Sequence, residues 1–148
     1  MEGGVGGDNR KLKYTKHFFI SILIVKFNGS IGSIMVLDYK ITEENSIQIL
    51  VLSGELIDKN QATGLIKEMD ELLELDKNKL IIDLSDLKYM NSSGLNVLIQ
   101  LLTKTRTSGG DSVICRVSKK VNDLLIITKL NTLFKVADTK EDAMKLLA

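Results

Sequence analysis

The sequence lacks several residue types on which common functional sites depend. Among its 148 residues are no proline, no tryptophan, one cysteine (Cys115) and one histidine (His17). A single cysteine excludes an internal disulfide and a cysteine-rich zinc cluster, which fits a reducing compartment. A single histidine leaves almost no scope for histidine-based catalysis or a multi-histidine metal site. The absence of proline excludes proline-rich ligand motifs.

Charge and length limit the class of protein further. Lysine and arginine total 20 and aspartate and glutamate total 19, so the net charge is +1. This balance argues against a protein that holds nucleic acid mainly by neutralising phosphates. Hydrophobic residues make up 44% of the chain, which is enough to bury the core of one domain. We therefore expect a small cytoplasmic domain that acts by binding and needs no cofactor.

The first 34 residues differ in composition from the rest. Met1–Asp8 is glycine-rich and has no apolar periodicity. Three lysines then precede the apolar run Phe18–Val25, as in a signal peptide, but the run is too short to span a bilayer and no A-x-A-type cleavage site follows it. We expect residues 1–34 to be a disordered or loosely attached extension without a membrane span. The alternatives are an extra strand and a mis-assigned start, with Met35 as the natural one.

From Met35 onward the hydrophobic pattern alternates between strand and helix periods. Two β-rich runs, Val36–Ile41 and Ile47–Leu52, are separated by polar residues, as in a hairpin. Helix and strand patterns then alternate through Ala62–Glu74 (helix), Leu80–Leu84 (strand), Ser92–Thr107 (helix), Ser112–Val117 (strand), a helix capped by Ser118, Leu133–Val136 (strand) and a helix capped by Thr139. The order β-β-α-β-α-β-α-β-α predicts a mixed, mostly parallel sheet of four to five strands with flanking helices.

The segment after the strand Leu80–Leu84, which we expect to be a loop over Ser85–Leu95, is where we expect a site, because sites in open parallel sheets lie beyond the carboxyl ends of the strands. This segment carries Asn91, Ser92 and Ser93, which are all frequent N-cap residues, followed by Gly94. One interpretation is structural, with one of the three residues capping the next helix. A second is that a hydroxyl here accepts a phosphate, since the N–H groups and dipole of a helix start stabilise an anion.

A catalytic serine is a third interpretation. A serine nucleophile needs an activating base within reach, and the segment from Met35 onward contains no histidine. Ser92 does not begin a Ser-x-x-Lys motif, and the chain has no Gly-x-x-x-x-Gly-Lys-Ser/Thr phosphate-binding loop. We therefore expect that the protein is not an enzyme. The alternative in the enzyme class is a small hydrolase that uses Ser92.

The stretch from Leu80 to Leu98 resembles the signature of the STAS domain, the sulfate transporter and anti-sigma factor antagonist family. More narrowly, it is similar to that of the free-standing bacterial anti-sigma factor antagonists. The resemblance rests on an aspartate–leucine strand end followed by Met-Asn-Ser-Ser-Gly-Leu at residues 90–95. It extends roughly over Met35–Ala148, which predicts a STAS domain at residues 35–148. Further landmarks are Ser53-Gly54-Glu55-Leu56, Gly109-Gly110, Ser118-x-x-Val121 and Thr139-x-x-Asp142-Ala143.

The resemblance implies a phosphorylation-switched regulator of transcription. In that family the unmodified domain binds an anti-sigma factor that is also a serine kinase, and a sigma factor is released. The kinase then phosphorylates a serine at the start of the second helix, and a PP2C-type phosphatase reverses the modification. By position in the motif the phosphoacceptor is Ser92, with Ser93 and Gly94 shaping the helix start. No catalytic residue, metal site or nucleic-acid partner is implied.

The sequence departs from the family pattern at two places. Asn91 stands where aspartate is common, which removes a negative charge beside the phosphate and still caps a helix. The turn after Gly54 is one residue longer before Ala62 than is usual, so whether Asp58 matches the family's acidic residue at the partner surface stays open.

Several neighbouring residues have two interpretations. Tyr89 and Met90 are candidates for a partner contact, or they pack under the loop. Asp83 is expected to fix the loop by hydrogen bonds, and the Lys119-Lys120 pair to be a solvated helix start. A different role for the same fold is a STAS subunit of a transporter complex or a scaffold in a stress-sensing assembly, with Ser92 unmodified.

Overall fold

A mixed five-stranded sheet organises residues 36–148, the part of the chain that the computed structural model describes. The strands lie side by side in chain order: β1 Leu37–Glu44, β2 Ile47–Leu56, β3 Lys79–Met90, β4 Asp111–Cys115 and β5 Lys135–Ala137. β1 is antiparallel to β2, and the other neighbouring pairs are parallel. The predicted mixed, mostly parallel sheet is confirmed. The expectations for residues 1–34 lie outside the described residues.

Helices cover both faces of the sheet. The α-helices of the described chain are α1 Thr63–Glu74, α2 Ser92–Thr107, α3 Lys119–Ile127 and α4 Lys140–Leu147, and short 3-10 turns span Lys59–Ala62 and Leu130–Thr132. Because β2 to β5 are parallel neighbours in chain order, right-handed crossovers place α1, α2 and α3 on one face. Helix α4 covers the other face, where Ala143 and Leu147 pack with Ile81 and Val113.

The larger core lies between the sheet and helices α1 to α3. It includes Leu50 and Ile82 from the central strands and Leu65, Leu98 and Leu125 from the three helices, all fully buried. Successive side chains of a strand point to opposite faces of the sheet, so the residues that alternate with these core positions lie on the face that α4 covers. Burial on both faces explains why β3 begins with a nearly continuous apolar run.

Helix α2 ends where its glycine pair predicts. Gly109 has a φ of +88°, a left-handed conformation that glycine adopts without strain. A Cβ on Gly110 would lie 1.9 Å from the carbonyl oxygen of Asn78, so the chain passes too close to that backbone for any side chain. The pair therefore turns the chain from α2 into β4.

Strand β3 continues past Leu84 to Met90, so the prediction of a loop over Ser85–Met90 is wrong. The reason is that β2 also runs on, to Leu56, and supplies a hydrogen-bonding partner along the whole extension. Shifts of register between the two strands break the period-two pattern that would have revealed the strand. Only the second half of the predicted loop, from Asn91, leaves the sheet.

Candidate functional site

Asn91 is the residue that caps helix α2. Its Oδ1 accepts a hydrogen bond from the Gly94 N–H at 3.0 Å, and its Nδ2 donates to the carbonyl oxygen of Ile57 at 3.0 Å. Its backbone N–H donates to the carbonyl oxygen of Leu56 at 3.4 Å. One residue thus starts the helix and ties that start to the end of β2.

Ser92 is the first residue of α2, one position past the cap, and its side chain is exposed. The expectation that one of Asn91, Ser92 and Ser93 caps the helix is confirmed, and the capping residue is Asn91. Within residues 36–148 no hydrogen-bond partner holds its hydroxyl. The N–H groups of Ser92 and Ser93 lie in the first turn, where no helical carbonyl can pair with them. An accessible hydroxyl thus stands beside donors that suit an anion.

Gly94 allows α2 to begin in close contact with the sheet. A Cβ at this position would lie 2.1 Å from the carbonyl oxygen of Leu56 and 2.8 Å from the Cγ of Met90. The backbone oxygen cannot move aside without disturbing the end of β2. Glycine is therefore required here by packing, and it fixes how far Ser92 and the exposed Ser93 stand from the sheet.

Tyr89 and Met90 have different positions although they are adjacent. Met90 is only 5% exposed and packs in the core beneath the helix start, which is the second of its two predicted alternatives. Tyr89 is 47% exposed, which is high for so large an apolar side chain. Of the two residues, Tyr89 is the one that a partner can touch.

Asp58 lies on the turn that Asn91 contacts. It is exposed and caps the 3-10 turn Lys59–Ala62, with its Oδ1 accepting from the Asn60 N–H at 2.8 Å. Gln61 completes the arrangement, because its Oε1 accepts from the N–H groups of Ile57 at 2.8 Å and Asp58 at 2.9 Å. The carboxylate of Asp58 thus has a local structural role, one residue after the carbonyl that receives the Asn91 amide.

A groove of about 360 Å³ runs between the start of α2 and helix α3. Ile127, on its rim, is 78% exposed. The sequence did not lead us to predict that α3 forms one wall of this groove, because Lys120 was expected to belong to a solvated helix start. A usable signal existed, because helices that follow neighbouring parallel strands begin at the same edge of the sheet. The lining residues are Tyr89, Met90, Asn91, Ser92, Lys120, Val121, Asp123, Leu124 and Ile127.

Asp83 stabilises β3 from the face of the sheet that α4 covers, opposite to the face where α2 and α3 lie. It is 1% exposed, its Oδ1 accepts from the Ser85 N–H at 3.0 Å, and its Oδ2 pairs with the guanidinium of Arg116. Burial by itself would raise the pKa of Asp83, but the hydrogen bonds from Arg116 and Ser85 and the positive charge of Arg116 lower it below its usual range. Asp83 is therefore an ionised structural residue that holds the strand beyond Leu84.

Among the described residues there is neither a cluster of metal ligands nor a helix that could span a membrane. Residues 36–148 contain no group of three or more histidine, cysteine, aspartate or glutamate side chains that could hold a metal ion. The helices in the same range are too short or too polar to cross a membrane. Cys115 is buried, and burial is the main cause that raises the pKa of its thiol to about 11, so it is a core residue without reactivity near neutral pH.

Comparison with known proteins identifies the family. The model of the STAS domain matches residues 38–143. A candidate anti-sigma factor antagonist of Thermotoga maritima is 31% identical over 107 residues, which cover 72% of this chain and 93% of that protein. The anti-sigma F factor antagonist of Paenibacillus polymyxa is 27% identical over 111 residues, covering 74% of this chain and 94% of the relative.

The fold agrees with this assignment. The crystal structure of a candidate anti-sigma factor antagonist from Thermotoga maritima superposes with a TM-score of 0.61 at 25% identity, covering 74% of this chain and 93% of that one. Proteins of this group are regulators that act without catalysis. From the family model, the relatives and the sheet order together, the chain belongs to the STAS domain family, among the anti-sigma factor antagonists.

Proposed function

We propose that this protein is a phosphorylation-switched binding module that regulates transcription. With Ser92 unmodified it binds an anti-sigma factor that has serine kinase activity, and a sigma factor is released. Phosphorylation of Ser92 by that kinase breaks the complex, and a PP2C-type phosphatase restores it. The names of the relatives support the partner class. The observation that supports the switch is the exposed Ser92 hydroxyl at the wall of a groove. This hydroxyl does not take part in the helix cap, which Asn91 forms.

A phosphate on Ser92 is compatible with the fold. It would add about −1.5 to −2 charges at neutral pH. The N–H groups of the first turn and the dipole of α2 stabilise an anion at this position. Since Asn91 and not Ser92 caps the helix, modification leaves the cap intact. The phosphate therefore changes what can dock on the surface and leaves the domain folded.

The groove beside Ser92 is the surface we assign to the partner. Its rim offers Tyr89 and Ile127, two exposed apolar side chains, with Leu124 between them and the core. Exposed apolar side chains in a concave setting are typical of protein interfaces. Asp58 lies on the turn that Asn91 joins to the same helix start, and so places a carboxylate near this surface.

The proximity of Ser92 to an apolar rim explains how a phosphate would prevent binding. A partner that covers Tyr89 and Ile127 would also remove water from a group with nearly two negative charges. Leaving such a charge buried without a partner costs several kcal/mol. Each 1.4 kcal/mol is about a tenfold change in the dissociation constant, so this cost abolishes a moderate affinity.

Phosphorylation mapping tests the acceptor assignment. The full chain is incubated with the ATP-binding anti-sigma factor of the same organism and ATP, and the modified residue is located by fragmentation mass spectrometry. We expect one phosphate, on Ser92, and none on Ser92→Ala, which still binds the kinase. Ser93→Ala, the matched control one residue further into the same turn, is phosphorylated like the wild type. A phosphate on another residue overturns the assignment.

Co-purification tests the partner class. The tagged full chain is recovered from cells of the source organism and its partners are identified. An ATP-binding anti-sigma factor is the expected partner. Recovery of a membrane transporter complex in its place would contradict the proposal and support the transporter-subunit role.

A further inference from the structure

We propose that Lys120 receives the phosphate of phosphorylated Ser92, in an ion pair that crosses the groove between helices α2 and α3. The inference rests on the proposed function in one respect, that Ser92 is the residue that carries the phosphate. It adds an internal partner for that phosphate, supplied by the chain itself.

The fold places the two residues on facing walls of one groove. Ser92 is the first residue of α2 and Lys120 is the second residue of α3, and both side chains line the groove. Helices α2 and α3 follow β3 and β4, which are parallel neighbours, so the two helix starts lie side by side at the same edge of the sheet. Ser92 and Lys120, far apart in sequence, thus line the same groove.

Lys120 is available for this role. It is exposed, and within residues 36–148 its ammonium group makes no ion pair. By contrast, Lys77, Lys104, Lys135 and Lys140 each pair with a carboxylate. A lysine has a flexible four-carbon stem and three N–H donors, so Lys120 can follow a phosphate without movement of the backbone.

The other charged side chain in the groove is Asp123, which competes with the phosphate. It lies one helical turn after Lys120 on α3, and its carboxylate does not engage the lysine. A phosphate with nearly two negative charges attracts an ammonium group more strongly than a single carboxylate does. Lys120 is therefore expected to turn toward Ser92 once the phosphate is present.

The pair would stabilise the phosphorylated state against the return of the partner. The Lys120 ammonium group would extend from α3 across the opening of the groove to the phosphate on Ser92. A partner approaching Tyr89 and Ile127 would then have to break a hydrated ion pair as well as exclude the phosphate. The modified state thus gains a contact that the unmodified state lacks.

The test is a pH titration of the phosphate itself. Phosphoserine is placed at position 92 of the full chain by genetic encoding, and its ³¹P chemical shift is followed with pH. The second pKa of a phosphoserine is about 6. We expect that pKa to be higher in Lys120→Gln than in the wild type by about 0.5. The reason is that an exposed ion pair lowers the pKa of its acidic partner by roughly that amount. Salt at about 0.5 M should reduce the difference because it screens exposed charges.

Lys119→Gln is the matched control. It removes the same charge from the same helix start, one residue earlier, at a position that does not line the groove. We expect less than half of the Lys120→Gln effect. Equal effects of the two substitutions, or no effect of Lys120→Gln, overturn the assignment.

The outcome is separable from that of the proposed function. The titration uses an installed phosphoserine and needs no kinase, so the pairing can be seen even if the anti-sigma factor modifies another residue. If mapping places the phosphate on Ser92 and the titration shows no dependence on Lys120, the switch stands and only the role of Lys120 is wrong.

Discussion

The side-chain amide of Asn91 joins two segments that form the candidate site, since it donates to the carbonyl oxygen of Ile57 at 3.0 Å while accepting from the Gly94 N–H at 3.0 Å. Aspartate could accept the second bond but has no N–H for the first. The turn that carries Asp58 is therefore held to the helix start that carries Ser92 by an asparagine-specific contact. The departure from the usual aspartate is a change of structure as well as of charge.

Replacement of Asn91 by alanine should lower the free energy of unfolding by about 1–2 kcal/mol, because a helix cap and a second hydrogen bond are lost together. Asn91→Asp should cost less, since it keeps the cap and places a negative charge at the helix N-terminus. Urea unfolding measures both. Asn96→Ala, at an exposed position of α2, is the control and should change the value by less than about 0.5 kcal/mol. Equal losses in Asn91→Ala and Asn96→Ala would contradict the capping role.

Gly94 and Gly64 give a matched pair of glycine substitutions. Gly94→Ala should destabilise the protein by about 2 kcal/mol or more, because the new methyl group would overlap the carbonyl oxygen of Leu56. Gly64 is an exposed residue of α1 where the Tyr39 hydroxyl, at 3.6 Å, is the atom nearest to an added Cβ. Gly64→Ala should therefore stabilise by up to about 1 kcal/mol, the usual helix preference for alanine. Thermal unfolding of both variants checks the signs, and a neutral Gly94→Ala would be inconsistent with the packing.

The Asp83–Arg116 pair predicts a stability difference that depends on pH. Because the pKa of Asp83 is lowered in the folded state, its stabilising effect is present above the ordinary aspartate pKa and is lost as the pH falls through the lowered value. Asp83→Asn should cost about 1–3 kcal/mol at pH 7, and the cost should shrink below about pH 4. Urea unfolding at several pH values tests this, with exposed Asp138→Asn as the control. A cost that is the same at pH 7 and at low pH would show that the charge of Asp83 is not responsible.

Ile127 should matter for the partner more than for the fold. Since its side chain is 78% exposed, Ile127→Ser should change the free energy of unfolding by less than about 0.5 kcal/mol. Binding of the anti-sigma factor, measured by calorimetry, should weaken by about tenfold or more, the usual effect at an apolar interface anchor. Leu146→Ser is the control, because Leu146 is 49% exposed on α4, across the sheet from the groove. Equal binding losses in the two variants would remove the groove from the interface.

Much of the fold could be predicted from the sequence because its local signals agree. The limits of α2, Ser92–Thr107, follow from a helical period between cap-type residues and a glycine pair, and the structure has the same limits. The extension of β3 from Ser85 to Met90 could not be predicted, because its pairing with β2 shifts register twice and its polar residues imitate a loop.

The candidate site shows why sequence alone was not enough. Asn91, Ser92 and Ser93 are all capping residue types, and what selects Asn91 is the carbonyl oxygen of Ile57, which lies far away in the chain. The α3 wall of the groove, with Lys120 and Ile127, depends on β4 lying next to β3. Such tertiary neighbours leave no trace in a local pattern, and only the alternation of strands and helices indicates that α2 and α3 begin at the same edge of the sheet.

The affinity of the phosphorylated chain for its partner tests the central claim most directly. Calorimetry would compare the unmodified full chain with the chain carrying phosphoserine at position 92, both titrated with the ATP-binding anti-sigma factor at the same salt and nucleotide concentration. We predict a dissociation constant at least about 100-fold higher for the phosphorylated chain, equivalent to about 2.7 kcal/mol. Equal affinities of the two forms would contradict a switch at Ser92.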